Sequence, residues 1–274
     1  MMIEKYKNTY EKRWKKSSSE NDDDILVFQN PENISQFFYL NYNKIINSII
    51  DKKNNNDVLE IGCGRGTASL YLKTLNPSFK FDLMDFSENA IKIAKKNFQA
   101  LKKDATFINS DIYKFKPKKN YDLIISLGVL EHIEDLDRII KKMKSMLKKN
   151  GMMVHMIVPE KKSIQNYFNW FNKLFYHLSK EKKKEWLDKK TFSKTSDVFR
   201  SYMTSHEFLD KFTLQGFLHS SKIEVNPFPT FTNLPLNFEK MIVKVFKIIL
   251  VLRKYLFLKK RPFECSEIFS RAHF

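Results

Sequence analysis

The sequence contains few cysteines, and this scarcity bears on where the protein works. Cys63 and Cys265 are the only cysteines among 274 residues. Two cysteines cannot form the disulfide framework of a small secreted protein, so we expect a reducing compartment. They also give little support to a thiolate metal site. Residues 1–14 are charged and lack the apolar stretch of a secretory signal, so the sequence predicts a cytoplasmic protein.

Acidic residues are scarce as well, and arginine is scarce among the basic ones. The chain has 31 acidic and 49 basic residues, a formal net charge of +18, and only seven of the basic residues are arginine. Base recognition and phosphate binding favour arginine, whose planar fork donates two parallel hydrogen bonds. The composition therefore speaks against nucleic acid as a partner. It favours a solvated lysine surface first and contact with an anionic membrane surface second.

A polar stretch divides the N-terminal part from the rest. Residues 17–24 read SSSENDDD and predict a break between a short helix over 6–16 and an amphipathic helix over 33–51. We interpret residues 1–56 as an N-terminal helical lid or substrate segment. Residues 57–274 are predicted to form the main domain, with cap insertions at about 159–205 and 226–262.

Short apolar strands alternate with amphipathic helices from residue 57 onward. The predicted strands are 58–61, 79–84, 106–109, 121–126, 152–158, 217–225 and 268–274. This alternation predicts an α/β fold with a Rossmann-like, seven-stranded, mostly parallel sheet. Helices are expected on both faces, together with the helical cap insertions. Asn150 and Gly151 are predicted to end a helix over 136–149.

Three of the six glycines lie in one short segment after the first predicted strand. The segment reads Asp57-Val-Leu-Glu-Ile-Gly-Cys-Gly-Arg-Gly-Thr67. Glycines at such a junction let the backbone turn sharply and approach a ligand closely. Gly66 follows Gly64 too early for a dinucleotide fingerprint, and no Lys-Ser/Thr pair is present for a P-loop. Glu60 would repel a pyrophosphate. It suits a cationic ligand such as S-adenosylmethionine, which has a sulfonium, an ammonium and no phosphate.

Two aspartates follow the next two predicted strands. Asp85 lies 19 residues after Gly66, where a carboxylate can accept hydrogen bonds from both ribose hydroxyls. Asp111 is placed to meet an adenine amino group, with Ile112 against the ring. Ligands of open α/β sheets bind at the carboxyl ends of the strands. The sequence therefore predicts a nucleoside site at this edge.

Four motifs in this order resemble those of class I S-adenosylmethionine-dependent methyltransferases. They are VLEIGCGRGT, MDFSENAIKIAKKN, INSDI and YDLIISLGVLEHIED, all within about 57–159. The resemblance implies S-adenosylmethionine as methyl donor, and we expect no metal. The expected cofactor-binding residues are Glu60, Gly62, Cys63, Gly64, Gly66, Asp85, Phe86, Asp111, Ile112, Ser126, Leu127 and Gly128.

His132 is the candidate catalytic residue. It ends the Leu130-Glu131-His132 stretch after the fourth predicted strand, and similar methyltransferases often carry Glu-His there. Under one hypothesis it is the general base for a hydroxyl acceptor, which is a weak nucleophile at neutral pH. Under the other it orients its loop by hydrogen bonding. His155 lies within the fifth predicted strand and is expected in the core.

The sequence predicts only the chemical class of the methyl acceptor and the kind of partner. We expect methyl transfer to an oxygen or nitrogen of a small molecule, lipid precursor or sugar. The sequence resembles quinone-biosynthesis and sugar or polysaccharide methyltransferases in part. The predicted helix over 237–260 carries regularly spaced lysines, Lys240, Lys244, Lys247 and Lys254. It suits a peripheral contact at the inner face of the membrane, or a homodimer, better than a transmembrane span. The alternatives are an RNA or protein methyltransferase and a non-catalytic Rossmann-like binding module.

Overall fold

The computed structural model describes most of the main domain and several segments around it. The described residues are 6, 8–12, 14–15, 30–50, 56–157, 199–217, 219–225, 236–255 and 267–273. They include every residue predicted for the site. Most of the cap insertion predicted at 159–205, part of the one at 226–262, and Cys265 lie outside them.

Strands and helices alternate along the chain. The strands are β1 (Asp57–Ile61), β2 (Lys80–Asp85), β3 (Thr106–Asn109), β4 (Tyr121–Leu127), β5 (Leu147–Ile157), β6 (His219–Val225) and β7 (Glu267–His273). The helices are α1 (Ile34–Ile49), α2 (Thr67–Leu75), α3 (Glu88–Ala100), α4 (Leu136–Ser145), α5 (Ser205–Leu214) and α6 (Leu236–Tyr255). Leu130–His132 form a 3-10 turn. Residues 6, 8–12, 14 and 15 are helical, and we call them the N-terminal helical segment.

The seven strands form one sheet in the order β3-β2-β1-β4-β5-β7-β6. The first five strands pair in parallel, whereas β7 runs antiparallel to both β5 and β6. The predicted seven-stranded, mostly parallel sheet is thus confirmed. The chain builds outward from β1 to β3 and then returns to place β4 on the other side of β1. Ligands of open α/β sheets bind where the strand order reverses in this way.

Helices cover both faces of the sheet, as predicted. On one face α1, α2, α3 and α6 pack against strand residues that include Val58 and Leu123. On the other face α4 and α5 pack against their neighbours Leu59 and Ile124. Adjacent residues of a strand point to opposite faces. Because both faces are buried, apolar residues occupy adjacent positions of the central strands, as Leu123, Ile124 and Ile125 do in β4.

The predicted end of the helix before β5 is wrong. α4 ends at Ser145, and Asn150 and Gly151 lie within β5. Asn150 has a φ of 66°, and the pairing of β4 with β5 shifts register in this region. Helix ends and β-bulges both use a residue with positive φ. The Asn-Gly pair therefore signalled a backbone conformation that two different structures share.

The helix predicted over 237–260 is confirmed as α6 up to Tyr255, whereas residues 256–260 lie outside the described residues. α6 is attached to α1. The rings of Phe246 and Phe37 lie 5.7 Å apart. At the first turn of α1, the N–H of Ile34 donates to Glu239 Oε2 at 3.1 Å. Among the helices described, we find none with the length and apolarity needed to span a membrane.

Candidate functional site

The chain turns sharply between β1 and α2 through three glycines. Gly62, Gly64 and Gly66 have φ angles of 67°, 51° and 72°, a region that side chains with a Cβ rarely adopt. The N–H of Cys63 donates to the Met84 carbonyl at 3.0 Å, which ties the turn to the end of β2. The turn therefore brings its backbone to the carboxyl edge of the sheet.

Asp85, the last residue of β2, faces this turn. Its side chain is buried, and its Oδ2 accepts the N–H of Gly64 at 2.9 Å. Its Oδ1 accepts the N–H of Ser87 at 2.9 Å. Each carboxylate oxygen has a second lone pair. The two backbone hydrogen bonds thus fix the orientation of the carboxylate and leave it capacity to accept ligand hydroxyls.

A cavity of about 230 Å³ lies beside Asp85, and we call it the smaller cavity. Phe86 lines it from the end of β2, Asp111 and Ile112 line it after β3, and Gly128 lines it after β4. These residues come from three strand ends that are distant in sequence. Parallel pairing places those ends along one edge, as the sequence predicted.

A second cavity, of about 590 Å³, also borders the glycine turn, and we call it the larger cavity. Glu60 and Cys63 line it from β1 and the turn, Gln36 and Tyr39 line it from α1, and Glu239 lines it from α6. Its wall is rich in polar groups and contains two carboxylates.

The N-terminal helical segment lies over the site, and Trp14 borders both cavities. A Cβ added to Gly64 would come within 2.9 Å of the Trp14 ring. The Tyr10 ring meets the Phe86 ring edge-on at 5.5 Å. Glu11 accepts the backbone N–H of Glu88 at 2.9 Å, where a carboxylate interacts favourably with the N-terminus of α3.

The structure brings most of the predicted site residues to the two cavities. Those that line one or both are Glu60, Gly62, Cys63, Gly64, Asp85, Phe86, Asp111, Ile112, Leu127, Gly128 and His132. Gly66 and Ser126 do not line either cavity. A Cβ at Gly66 would meet Leu83 at 2.8 Å, so this glycine allows close packing. The Ser126 side chain is buried, and its Oγ lies 2.8 Å from Nδ1 of His155.

Sequence reasoning missed the residues that α1 and α6 contribute to the larger cavity. Gln36 and Tyr39 belong to a helix that precedes the motifs, and Glu239 follows them by more than a hundred residues. No local spacing links these positions. One signal was available, because Glu239 is the only acidic residue of the otherwise lysine-rich α6.

Comparison with known proteins identifies the family. A family model described as a methyltransferase domain matches residues 52–199, more than half of the chain. The chain belongs to the class I S-adenosylmethionine-dependent methyltransferases.

Individual relatives match a shorter region. The chain is 34% identical over 98 residues to malonyl-[acyl-carrier protein] O-methyltransferase 2 of Ilyobacter polytropus, covering 36% of this chain and 38% of that protein. It is 32% identical over 110 residues to the ubiquinone biosynthesis O-methyltransferase of Pelagibacter ubique, and this match covers 40% of this chain and 44% of that protein. The chain therefore spans less than half the length of these curated relatives. Among solved structures, the chain is similar to the N-methyltransferase NodS from Bradyrhizobium japonicum, which was solved with S-adenosylhomocysteine. The TM-score is 0.52, the match covers 96% of each chain, and the sequence identity is 14%. The two proteins share the fold.

Burial perturbs the two acidic groups nearest the glycine turn of this methyltransferase. Burial raises the pKa of Glu60 to about 7, although Ser69 donates to its carboxylate from both the hydroxyl and the backbone N–H. Burial likewise raises the pKa of Asp85 to about 6, against the hydrogen bonds from Ser87 and Gly64. Both carboxyl groups therefore change charge close to neutral pH.

The raised pKa values predict a pH-dependent stability. In the folded protein Glu60 holds its proton up to about pH 7, whereas an unfolded glutamate loses it near pH 4. Its contribution to stability is therefore complete below about pH 4 and is lost as the pH rises through 7. We therefore expect the difference in the free energy of unfolding between Glu60→Gln and the unchanged protein to favour the variant more at pH 8 than at pH 5.

Urea unfolding of both proteins at the two pH values measures this difference. Asp210→Asn, at an exposed position of α5, serves as the control and is expected to show no such change. Equal effects of Glu60→Gln at pH 5 and pH 8 would contradict the prediction.

The ring of His132 is held by a backbone carbonyl that lies 67 residues away in sequence. Its Nδ1 lies 2.9 Å from the carbonyl oxygen of Phe199. A carbonyl can only accept a hydrogen bond, so Nδ1 carries the proton and the lone pair of the neutral ring is on Nε2.

His155, by contrast, is fully buried and stacks on Phe212. Burial lowers its pKa to about 3, and its predicted place in the core is confirmed.

Proposed function

We propose that this chain transfers a methyl group from S-adenosylmethionine to an oxygen or nitrogen of a small molecule, lipid precursor or sugar. One observation carries the proposal: the buried Asp85 carboxylate lines a cavity beside three glycines with positive φ. Family membership supports it. Cytoplasmic location, the absence of a metal, and the role of residues 1–56 as a lid or substrate segment are parts of the same proposal.

The smaller cavity suits the nucleoside part of the donor. Asp85 can accept hydrogen bonds from two ribose hydroxyls while it keeps those from Gly64 and Ser87. Asp111 and Ile112 provide a carboxylate and an apolar surface for the adenine. A Cβ at Gly62 would come within 2.5 Å of Val129, and one at Gly64 within 2.9 Å of Trp14, so the turn packs closely against the residues around the cavity.

The larger cavity suits the methionine end of the donor and the acceptor. Glu60 provides a carboxylate for a cationic group, and Gln36, Tyr39 and Glu239 provide further polar groups. Leu127 and Gly62, like Trp14, border both cavities, so the two cavities are neighbours. Bound S-adenosylmethionine would supply a methyl group activated by its sulfonium. The chain's contribution is to hold donor and acceptor in line, since orientation alone can contribute ~7–11 kcal/mol.

Isothermal titration of the full chain with S-adenosylmethionine and S-adenosylhomocysteine tests the proposal. We expect saturable binding of both, with affinities in the roughly micromolar to millimolar range usual for enzyme substrates. NAD and ATP serve as controls at pH 8, where Glu60 is charged, and are expected not to bind because that charge would repel their phosphates. The proposal fails if neither nucleoside binds. Binding without methyl transfer would indicate a binding module, and a salt-dependent mobility shift with RNA would support the RNA alternative.

We further propose that His132 is the general base, and a pair of variants tests this. In His132→Asn the amide N–H can replace Nδ1–H as donor to the Phe199 carbonyl, but the base is lost. We expect its turnover to fall by about 10²–10⁴ while its affinity for S-adenosylmethionine stays unchanged. Turnover is measured with labelled donor across pH. If His132→Asn keeps its turnover and His132→Ala loses it, the histidine only orients its loop.

In this proposal the acceptor is a small molecule. Contact of the helix over 237–260 with a second copy of the chain, or with the inner face of a membrane, belongs to the proposal.

A further inference from the structure

α6 exposes a continuous apolar stripe to solvent. Its members are Phe238, Met241, Val245, Ile248 and Ile249, each between 42% and 58% exposed. The opposite side of the helix is anchored in the core through Val243 and Phe246, which are 2% and 7% exposed. In the part of the chain that the structure describes, the stripe is therefore an outward surface and α6 is held in place without it.

Lysines border this apolar stripe on one side. At about 100° per residue, Lys240, Lys244 and Lys247 lie along one edge of it. Lys244 and Lys247 are exposed, and Lys240 lies 3.2 Å from Glu32. The single acidic residue of the helix, Glu239, is directed to α1, where it accepts the N–H of Ile34. The outward side of α6 thus presents apolar and cationic groups and, between 236 and 251, no carboxylate.

The charge decides between the possible occupants of this surface. In a symmetric dimer each copy presents the same patch, so two lysine-edged stripes would meet without a carboxylate on α6 to pair with them. The net charge of +18 adds repulsion between copies. A nucleic acid could pair with the lysines but would leave the apolar stripe in water. An anionic membrane complements both parts, since its headgroups attract lysines and its interior accepts apolar side chains.

We propose that α6 binds to the surface of an anionic lipid membrane, with its apolar stripe inserted among the lipids and Lys244 and Lys247 at the headgroups. This contact goes beyond the proposed methyl transfer and does not depend on it. It also has a consequence for the site. Glu239, in the first turn of α6, lines the larger cavity, so the same helix forms the membrane contact and one wall of that cavity.

Flotation of the full chain with vesicles tests the proposal. We expect the protein to float with vesicles of phosphatidylcholine and phosphatidylglycerol, and to remain unbound with phosphatidylcholine alone. High salt should weaken binding, because it screens the lysines. Failure to float with the anionic vesicles at low salt would overturn the proposal.

Two double variants separate the apolar and cationic parts. Val245→Ser with Ile248→Ser should lower the partition coefficient roughly tenfold. Lys244→Gln with Lys247→Gln should lower it about 25-fold, or about fivefold per lysine. The matched control is Lys141→Gln with Lys149→Gln, two exposed lysines of α4 and β5. It removes the same charge and should bind vesicles like the unchanged protein.

Three further results would overturn the membrane contact. The first is an equal loss of binding in the control, which would indicate a general charge effect. The second is unchanged binding in both α6 variants. The third is a dimer in solution that Val245→Ser with Ile248→Ser dissociates, which would indicate a second copy. Unfolding midpoints and S-adenosylmethionine titrations of each variant show whether it is folded. Those titrations also separate failure here from failure of the proposed function.

Discussion

Replacing Asp85 with alanine is expected to weaken S-adenosylmethionine binding at least a hundredfold. Hydrogen bonds to a charged group contribute roughly 1.5–3 kcal/mol each, and Asp85 can accept two from ribose. Their loss corresponds to about 10²–10⁴ in affinity. The N–H groups of Gly64 and Ser87 also lose their acceptor, so the turn itself is less well held. Isothermal titration measures the affinity.

Two further variants show whether the carboxylate itself is responsible. Asp85→Asn keeps the shape and one acceptor oxygen, so we expect an affinity between those of the alanine variant and the unchanged protein. Asp210→Ala removes an acidic group from an exposed position of α5 and should bind like the unchanged protein. An Asp85→Ala variant that is folded and binds within twofold of the unchanged protein would contradict the assignment of Asp85 to the ribose.

Gly66→Ala is expected to destabilise the fold by about 2–5 kcal/mol. Left-handed backbone costs a residue with a Cβ roughly 1–2 kcal/mol, and overpacking a core adds roughly 1–3 kcal/mol. At Gly66 the φ is 72°, and a Cβ would lie 2.8 Å from Leu83 and 3.1 Å from Phe98. Both of those side chains are in the core. Such a loss is large against a typical total of about 5–15 kcal/mol, and urea unfolding measures it.

Gly64→Ala is the matched comparison, since both glycines have positive φ in the same turn. A Cβ at Gly64 would meet the ring of Trp14 at 2.9 Å rather than a core residue. We therefore expect mainly the backbone cost of roughly 1–2 kcal/mol, together with weaker ligand binding, because Gly64 lines the larger cavity. If Gly64→Ala destabilised the protein as much as Gly66→Ala, the distinction between a site glycine and a packing glycine would be wrong.

The glycine turn shows how far local reasoning reached. The spacing of the three glycines, and Asp85 at the next strand end, predicted one site, and the structure brings Gly64 and Asp85 into a hydrogen bond. The pattern could not say what each glycine contacts. Gly66 packs on Leu83 and Phe98 instead of lining a cavity. That difference depends on side chains of β2 and α3, which lie outside the turn.

Ser126 and Asn150 show the limits of predictions from strands and dipeptides. Successive residues of a strand point to opposite faces, and Ser126 points to the face where His155 is buried. The motif predicted where the strand ends, but it did not predict which face of the sheet each side chain points to. Asn150 takes a positive φ, as predicted for a helix end. Its place in β5 follows from pairing with β4.

By itself, the sequence determined the α/β alternation, the seven strands, the glycine turn and the carboxylates at the strand ends. Each of these depends on residues close together in the chain, whose periodicity and spacing can be read directly. Tertiary structure alone decided that residues of α1 and α6 line the larger cavity and that Trp14 borders both cavities. The contact of Ile34 with Glu239 spans 205 positions. Packing of apolar faces brings such residues together, and no local pattern specifies which of them meet.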